Sequence, residues 1–219
     1  MIIAALLFAC QTSVFPPATK SLRFLQTMDD AKAEMTWSDR RVDGDRVQWE
    51  QTFAREGGNT TREVSTFLCS AQGITPVAEG TKFTGVQYGN DLATDAKWNW
   101  TWTGTGISAK YQYRVVGREK VTVPAGTFDA IRVDYTAEVL SQTRGKLPIV
   151  RGSLWIAKDV GLVKQFDDDP EAVFGGKTTL ELLSRAPESS PPSRSEPSPR
   201  ESPPPPAPSS SPPPSPCRR

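Results

Sequence analysis

Lys97-Trp98-Asn99-Trp100-Thr101-Trp102-Thr103 alternates large aromatic and polar residues without a break. Successive side chains of an extended chain point to opposite sides, so a period of two marks a strand with one covered face. Trp98, Trp100 and Trp102 share that face, and Gly104-Thr105-Gly106 ends the run. The pattern continues outward in both directions. Ala109 to Arg118 carries Tyr111, Tyr113 and Val115 in phase, and Lys120 to Val123 leads to a turn at Pro124-Ala125-Gly126. Phe128 to Leu140 then returns with Ile131, Val133 and Tyr135 in phase. Upstream, Asp43-Gly44-Asp45 joins Met35-Thr36-Trp37 to a run with Val47, Trp49 and Phe53 on one face. Glu63 to Cys69 follows a Gly57-Gly58-Asn59 turn, and Thr81 to Tyr88 is weakened by Gly85. Downstream, Ser153 to Ala157 and Leu162 to Phe166 flank Lys158-Asp159, and Thr178 to Ser184 is the last strand. Only Ser21 to Lys32 has helical potential, and Asp29-Asp30 keep it short. These runs predict an all-β fold: a strongly curved antiparallel sheet forming a half-barrel or open barrel, with at most one short helix.

Both ends of the chain differ from this middle. Met1 to Ala9 is apolar and closes on Ala9-Cys10, followed by polar Gln11-Thr12-Ser13. The run is too short to span a bilayer, which takes about 20 apolar residues, but fits the apolar region of an export signal. Residues 1–10 therefore read as a leader whose Cys10 is the lipid-attachment site of a bacterial lipoprotein, although no basic residue precedes Ile2. Each buried methylene of an acyl chain adds about 0.8 kcal/mol of membrane affinity. Residues 11–20 are a linker and 21–186 the β domain, about 165 residues and ample for one core. Residues 187–219 are Pro, Ser, Arg and Glu with scarcely a large apolar group, so the tail reads as a disordered spacer with extended polyproline character.

The chemistry is defined largely by exclusion. The chain has no histidine, which removes Ser-His-Asp and Cys-His catalysis and most zinc sites. Net charge is +1 with the two signs interspersed, so no nucleic-acid partner is indicated. No cofactor or metal is indicated either. The acidic run Asp167-Asp168-Asp169 lacks the spacing of a calcium loop and reads as a solvated turn. Asp129 with Asp134, or Glu50 with Glu63, form no recognisable acid–base pair. Cys69 lies in a strand pattern and reads as a small buried hydrophobe, and a bond to Cys217 in an oxidising compartment is the alternative.

Val121-Thr-Val-Pro-Ala-Gly-Thr-Phe-Asp-Ala-Ile-Arg-Val133, followed by Leu154-Trp-Ile-Ala157 and Val160-Gly-Leu-Val-Lys164, resembles a paired motif found in a family of exported bacterial proteins and lipoproteins. The resemblance covers Lys110 to Phe166 and implies an open barrel-like sheet related to lipoprotein carriers, together with an envelope location. It implies no particular activity. The motif residues have a structural reading of their own. Pro124 suits a strand end, Gly126 a corner with positive φ, Phe128 a return to the core, and Trp155 and Gly161 a strand and its tight turn.

The aromatic ladder is the best candidate for ligand contact: Trp98, Trp100, Trp102 and Tyr113 suit a concave lining that is both core and pocket. The expectation is a cell-envelope lipoprotein, held to the membrane through lipidated Cys10 and facing the periplasm. It acts as a non-catalytic binding or carrier module for an apolar or amphipathic ligand, a lipid or an envelope-protein partner. The alternative is a structural protein of an envelope assembly with the Pro-rich tail as spacer. A carboxylate-dependent hydrolase ranks third, and would gain from buried carboxylates converging in a cleft.

Overall fold

The computed structural model describes residues 19–29, 31–55, 57–170 and 176–187. The leader 1–10 with Cys10, linker residues 11–18 and tail residues 188–219 lie outside the described residues. The chain forms β1 (Thr19–Met28), β2 (Ala31–Asp43), β3 (Arg46–Arg55), β4 (Thr60–Cys69), β5 (Gly73–Val77), β6 (Lys82–Gly85), β7 (Tyr88–Gly89), β8 (Lys97–Gly104), β9 (Ile107–Val123), β10 (Gly126–Ser141), β11 (Gly145–Lys146), β12 (Val150–Ala157), β13 (Gly161–Asp168) and β14 (Lys177–Pro187). All belong to one antiparallel sheet in the order β6-β8-β9-β10-β12-β13-β14-β1-β2-β3-β4-β5-β7, with β11 paired to β10. No helix occurs among the described residues.

Ser21 to Lys32 corrects the one helical expectation: it forms β1 and the start of β2. Leu22 and Phe24 are fully buried while Arg23 is exposed, so the segment has strand periodicity. Ladders to β14 on one side and β2 on the other supply its backbone partners and override local propensity. Asp29, at φ 48°, sits in the tight turn between those strands.

The two edges of the sheet are close in sequence. β6 pairs with β8 at one edge, while β7 pairs with β5 at the other. The segment 82–89 therefore runs from edge to edge. Gln87 N–H donates to Ile74 O at 2.8 Å, and Thr75 Oγ1 donates to Gly85 O at 2.7 Å. No ladder joins β6 to β7, so the curved sheet stays an open half-barrel.

The alternating phase read from the sequence fills the core. Leu22, Phe24, Trp49, Val115, Val133, Leu154 and Leu182 are essentially inaccessible. The longest hairpin is β9–β10, where Val116 is an extra residue: Gly117 pairs with Arg132 but Val115 pairs with Val133. This bulge makes one bent strand of two runs that the sequence separates. Such a bulge increases local twist, which a strongly curved sheet requires. Pro124 and Ala125 form the hairpin turn, Gly126 has φ 131°, and Ala125 N–H donates to Leu182 O at 3.0 Å. Gly161, at φ 90°, closes the Lys158–Val160 turn. Trp155 lies on a polar face, its indole donating to Glu119 with Arg132 and Lys164 against the ring. Cys69 is buried, as expected, but disulfide-bonded, which corrects the free-thiol reading; its partner lies outside the described residues.

Candidate functional site

Seven strands and the edge-bridging segment converge on a cavity of about 310 Å³. β8 contributes Trp100 and Trp102, β9 Tyr111 and Tyr113, β10 Tyr135, and β7 Tyr88. β13 supplies Gln165 and Asp167, with Asp169 just beyond its end, and β14 supplies Thr178. Gln26 of β1 and Gln87 add polar groups to the lining, and Val150 and Leu154 of β12 apolar ones.

The period-two phase of each strand explains why these side chains meet. Trp100 pairs with Tyr111, and Tyr113 with Tyr135, so large rings stand opposite one another across the ladder. Tyr111 and Tyr113 lie nearly parallel with centroids 6.0 Å apart, and Tyr113 and Tyr135 meet at 5.3 Å. Phe83 stacks behind Trp100 at 5.9 Å and 8°. Gly152 makes the wall possible: a Cβ there would come within 2.3 Å of the Tyr135 ring and 2.5 Å of Phe166 O.

Of the four ring residues singled out from the sequence, Trp100, Trp102 and Tyr113 line the cavity. Trp98 does not. It stacks on Tyr113 at 5.0 Å, donates its indole N–H to Gln87 O at 3.4 Å, and covers Gly89, where a Cβ would meet the ring at 2.8 Å. Trp98 thus supports the lining through its contact with Tyr113. Pro124, Gly126, Phe128, Trp155 and Gly161 are not among the lining residues.

The acidic run departs from the solvated-turn reading. β13 extends through Asp168, and Asp167 pairs with Gly152 on one side and Thr178 on the other. Asp167 is half-buried, Asp169 is 3% exposed, and Asp168 alone faces solvent. Burial first, and then the charge of Asp169, raises Asp167 from 3.8 to about 7. Gln165 Nε2 donates to Asp167 Oδ2 at 2.9 Å. Burial, reinforced by the Asp167 charge, pushes the hydroxyls of Tyr88 and Tyr111 far up, and Tyr113 moves the same way, chiefly by burial. All three remain hydroxyl donors at neutral pH.

Two further features mark the site as polar as well as aromatic. Trp100 Nε1 and Thr178 Oγ1 are buried and make no hydrogen bond among the described residues, and both residues line the cavity. Among the described residues, no lysine or arginine lines it. The sequence pattern does not by itself mark Tyr88, Tyr111, Tyr135, Asp167 and Asp169 as ligand contacts. Their strand phase was the available signal for the tyrosines, since Tyr111 and Tyr135 lie in phase with Tyr113 and Val133.

A family model described as DUF3108-like matches residues 84–180, the stretch that contains most of this wall. None of the curated proteins matches the chain in sequence. Among solved structures, the chain is similar to a protein from Bacteroides fragilis NCTC 9343 described as exported and as having a YmcC-like fold. That likeness has TM-score 0.54 and 15% identity, and covers 79% of this chain and 98% of the other. It is equally similar to a protein from Parabacteroides distasonis ATCC 8503 described as a lipoprotein, with TM-score 0.54, 14% identity, and 80% and 100% of the two chains covered. At these identities the likeness is one of fold: the open, curved sheet is shared.

Proposed function

We propose that the chain is a cell-envelope lipoprotein, anchored by lipid on Cys10 and facing the periplasm, whose half-barrel is a non-catalytic binding module for an amphipathic ligand. The cavity carries this reading: about 310 Å³ is the size of a small-ligand site, and its lining combines aromatic surface with a few converging polar groups. The compartment is supported by the apolar run ending in Ala9-Cys10 and by the disulfide at Cys69, since such bonds persist mainly outside the cytosol. Similarity in fold to structures described as exported and as a lipoprotein supports it further.

A hydrolase is the second reading, because Asp167 and Asp169 both line the cavity. The arrangement favours binding instead. Glycoside hydrolysis needs two carboxyl groups flanking one bond, whereas Asp167 and Asp169 come two residues apart from the same end of β13, on one side of the cavity.

The test is mass spectrometry of the full chain purified from its native membrane. The expected result is an acylated Cys10 and a stoichiometric small-molecule companion that is lost in Trp100→Ala. A soluble chain with an unmodified Cys10 thiol would overturn the anchoring. Turnover of a glycoside by the wild type and not by Asp167→Asn would replace binding with catalysis.

A further inference from the structure

We propose that the cavity binds an organic ammonium cation that also carries a hydroxyl or carbonyl oxygen, with the charge held between Asp167 and the tyrosine rings and the oxygen held by Trp100 and Thr178. The inference rests on the binding-module reading and names the ligand class for that same cavity.

Charge sign comes first. The ionisable lining consists of Asp167, Asp169 and tyrosines, with no cationic side chain among the described residues. An anionic headgroup would meet repulsion there without any counter-charge. Asp167 is half-buried and its direct hydrogen bond is from a neutral amide, Gln165, and no cationic side chain among the described residues pairs with it. A cation entering the cavity supplies the missing charge. Tyr88, Tyr111 and Tyr113 stand near the same acid, whose charge acts on each of their hydroxyls, and tyrosine rings attract ammonium groups through the ring quadrupole. Desolvation strengthens both attractions.

The uncharged polar atoms define the rest of the ligand. Trp100 is 7% exposed and Thr178 is 8% exposed, and the indole N–H and the hydroxyl lack partners among the described residues. An indole nitrogen is only a donor, so its complement is an oxygen acceptor. A purely hydrocarbon tail would leave both groups unsatisfied, whereas an amino alcohol or amino carbonyl satisfies them. Thr178 is the ladder neighbour of Asp167, so oxygen and charge are recognised side by side, as a short amino alcohol requires.

The groups facing Asp167 are Tyr88, Tyr111, Tyr113, Tyr135 and Asp169, and its ladder neighbours Gly152 and Thr178 do not titrate. With the acid near 7, cation affinity should follow its ionisation.

The test is calorimetric titration of the full chain with choline, with its neutral carbon isostere dimethylbutanol, and with the anionic dimethylbutanoate. Choline is expected to bind at least about tenfold more tightly than dimethylbutanol, and dimethylbutanoate not at all. Choline affinity should rise from about pH 5 to about pH 8.5 while that of the isostere stays flat. Asp167→Asn, with Asp169→Asn as the second variant, should bring choline down to the isostere's level. Equal affinity for choline and dimethylbutanol, or tighter binding of the anion, would overturn the cation assignment. Absence of choline binding even at tens of millimolar would overturn it too. Uptake of the neutral fluorophore N-phenylnaphthylamine into the same preparation separates the two failures: uptake without choline binding preserves the binding module, and loss of both removes it.

Discussion

Replacing Asp167 by asparagine removes one ionisation from a half-buried wall while keeping the side chain's size and its acceptor for Gln165 Nε2. The acid releases its proton near 3.8 in the unfolded chain and near 7 in the folded one. Between those values the folded chain holds a proton that the unfolded chain has lost. Stability therefore falls as pH rises through this window, with the penalty absent below about pH 4 and complete above about pH 7. At about 1.4 kcal/mol per tenfold change in proton affinity, the full penalty is about 4 kcal/mol, a ceiling lowered by solvent reaching the side chain. Urea unfolding of wild type and Asp167→Asn across this range measures it directly. The variant should match the wild type near pH 4 and exceed it by up to about 4 kcal/mol near pH 8, because the asparagine carries no charge to desolvate. The difference between the two curves cancels every other titrating group they share. Parallel curves from pH 4 to pH 8 would refute the burial of this charge, and with it the electrostatic description of the cavity.

Trp100→Ala deletes a buried ring stacked on Phe83 and packed against Tyr111; it should cost about 3–5 kcal/mol in urea unfolding, and a loss under about 1 kcal/mol would mean the ring is not packed. Gly152→Ala forces a methyl against the Tyr135 ring and the Phe166 carbonyl, so it should cost about 1–3 kcal/mol or more, and wild-type stability would contradict that contact. Non-reducing peptide mapping should recover Cys69 joined to Cys217, leaving Cys10 for acylation; a Cys10–Cys69 peptide would exclude the lipid anchor on that molecule.

Strand phase was legible because burial on one face selects apolar residues at every second position. Trp98-Asn99-Trp100-Thr101-Trp102 shows this most plainly, with Trp100 buried and Asn99 exposed. The hairpin at Pro124-Ala125-Gly126 was equally readable, since proline and glycine supply its φ angles locally. Ser21 to Lys32 was ambiguous because its strand state depends on β14, more than a hundred residues away in sequence, and no local signal encodes that ladder. The aromatic half of the cavity was visible for the same reason as the core. The acidic half was not. Three consecutive aspartates carry no period, and charge runs are ordinarily solvated, so nothing in Asp167-Asp168-Asp169 marks the first and last as inward-facing. Only the register of β13 between β12 and β14 assigns the faces. Likewise, the sequence does not distinguish Trp98 from its neighbours. Its role as a prop follows from the Gln87–Gly89 segment that crosses behind it.

The acids and the rings depend on one another through the backbone between them. Gly152 has no side chain, so the Tyr135 ring lies over β12 at its position, and the ladder partner of Gly152 on the next strand is Asp167. A residue with a Cβ at position 152 would displace the ring from the acid's neighbourhood. A stability-optimised core would place an apolar residue at position 167, since a carboxylate there opposes folding at neutral pH. Departures from the rules of burial are expected where a site, rather than the fold, sets the residue. Here several departures meet at one cavity: an inward carboxylate, an indole N–H and a threonine hydroxyl without partners among the described residues, and, in the strand beside them, a central glycine. Each has a cost for the empty protein. A ligand of the proposed class, cationic and oxygen-bearing, would offset the first three together, and the glycine is what lets the Tyr135 ring lie against β12.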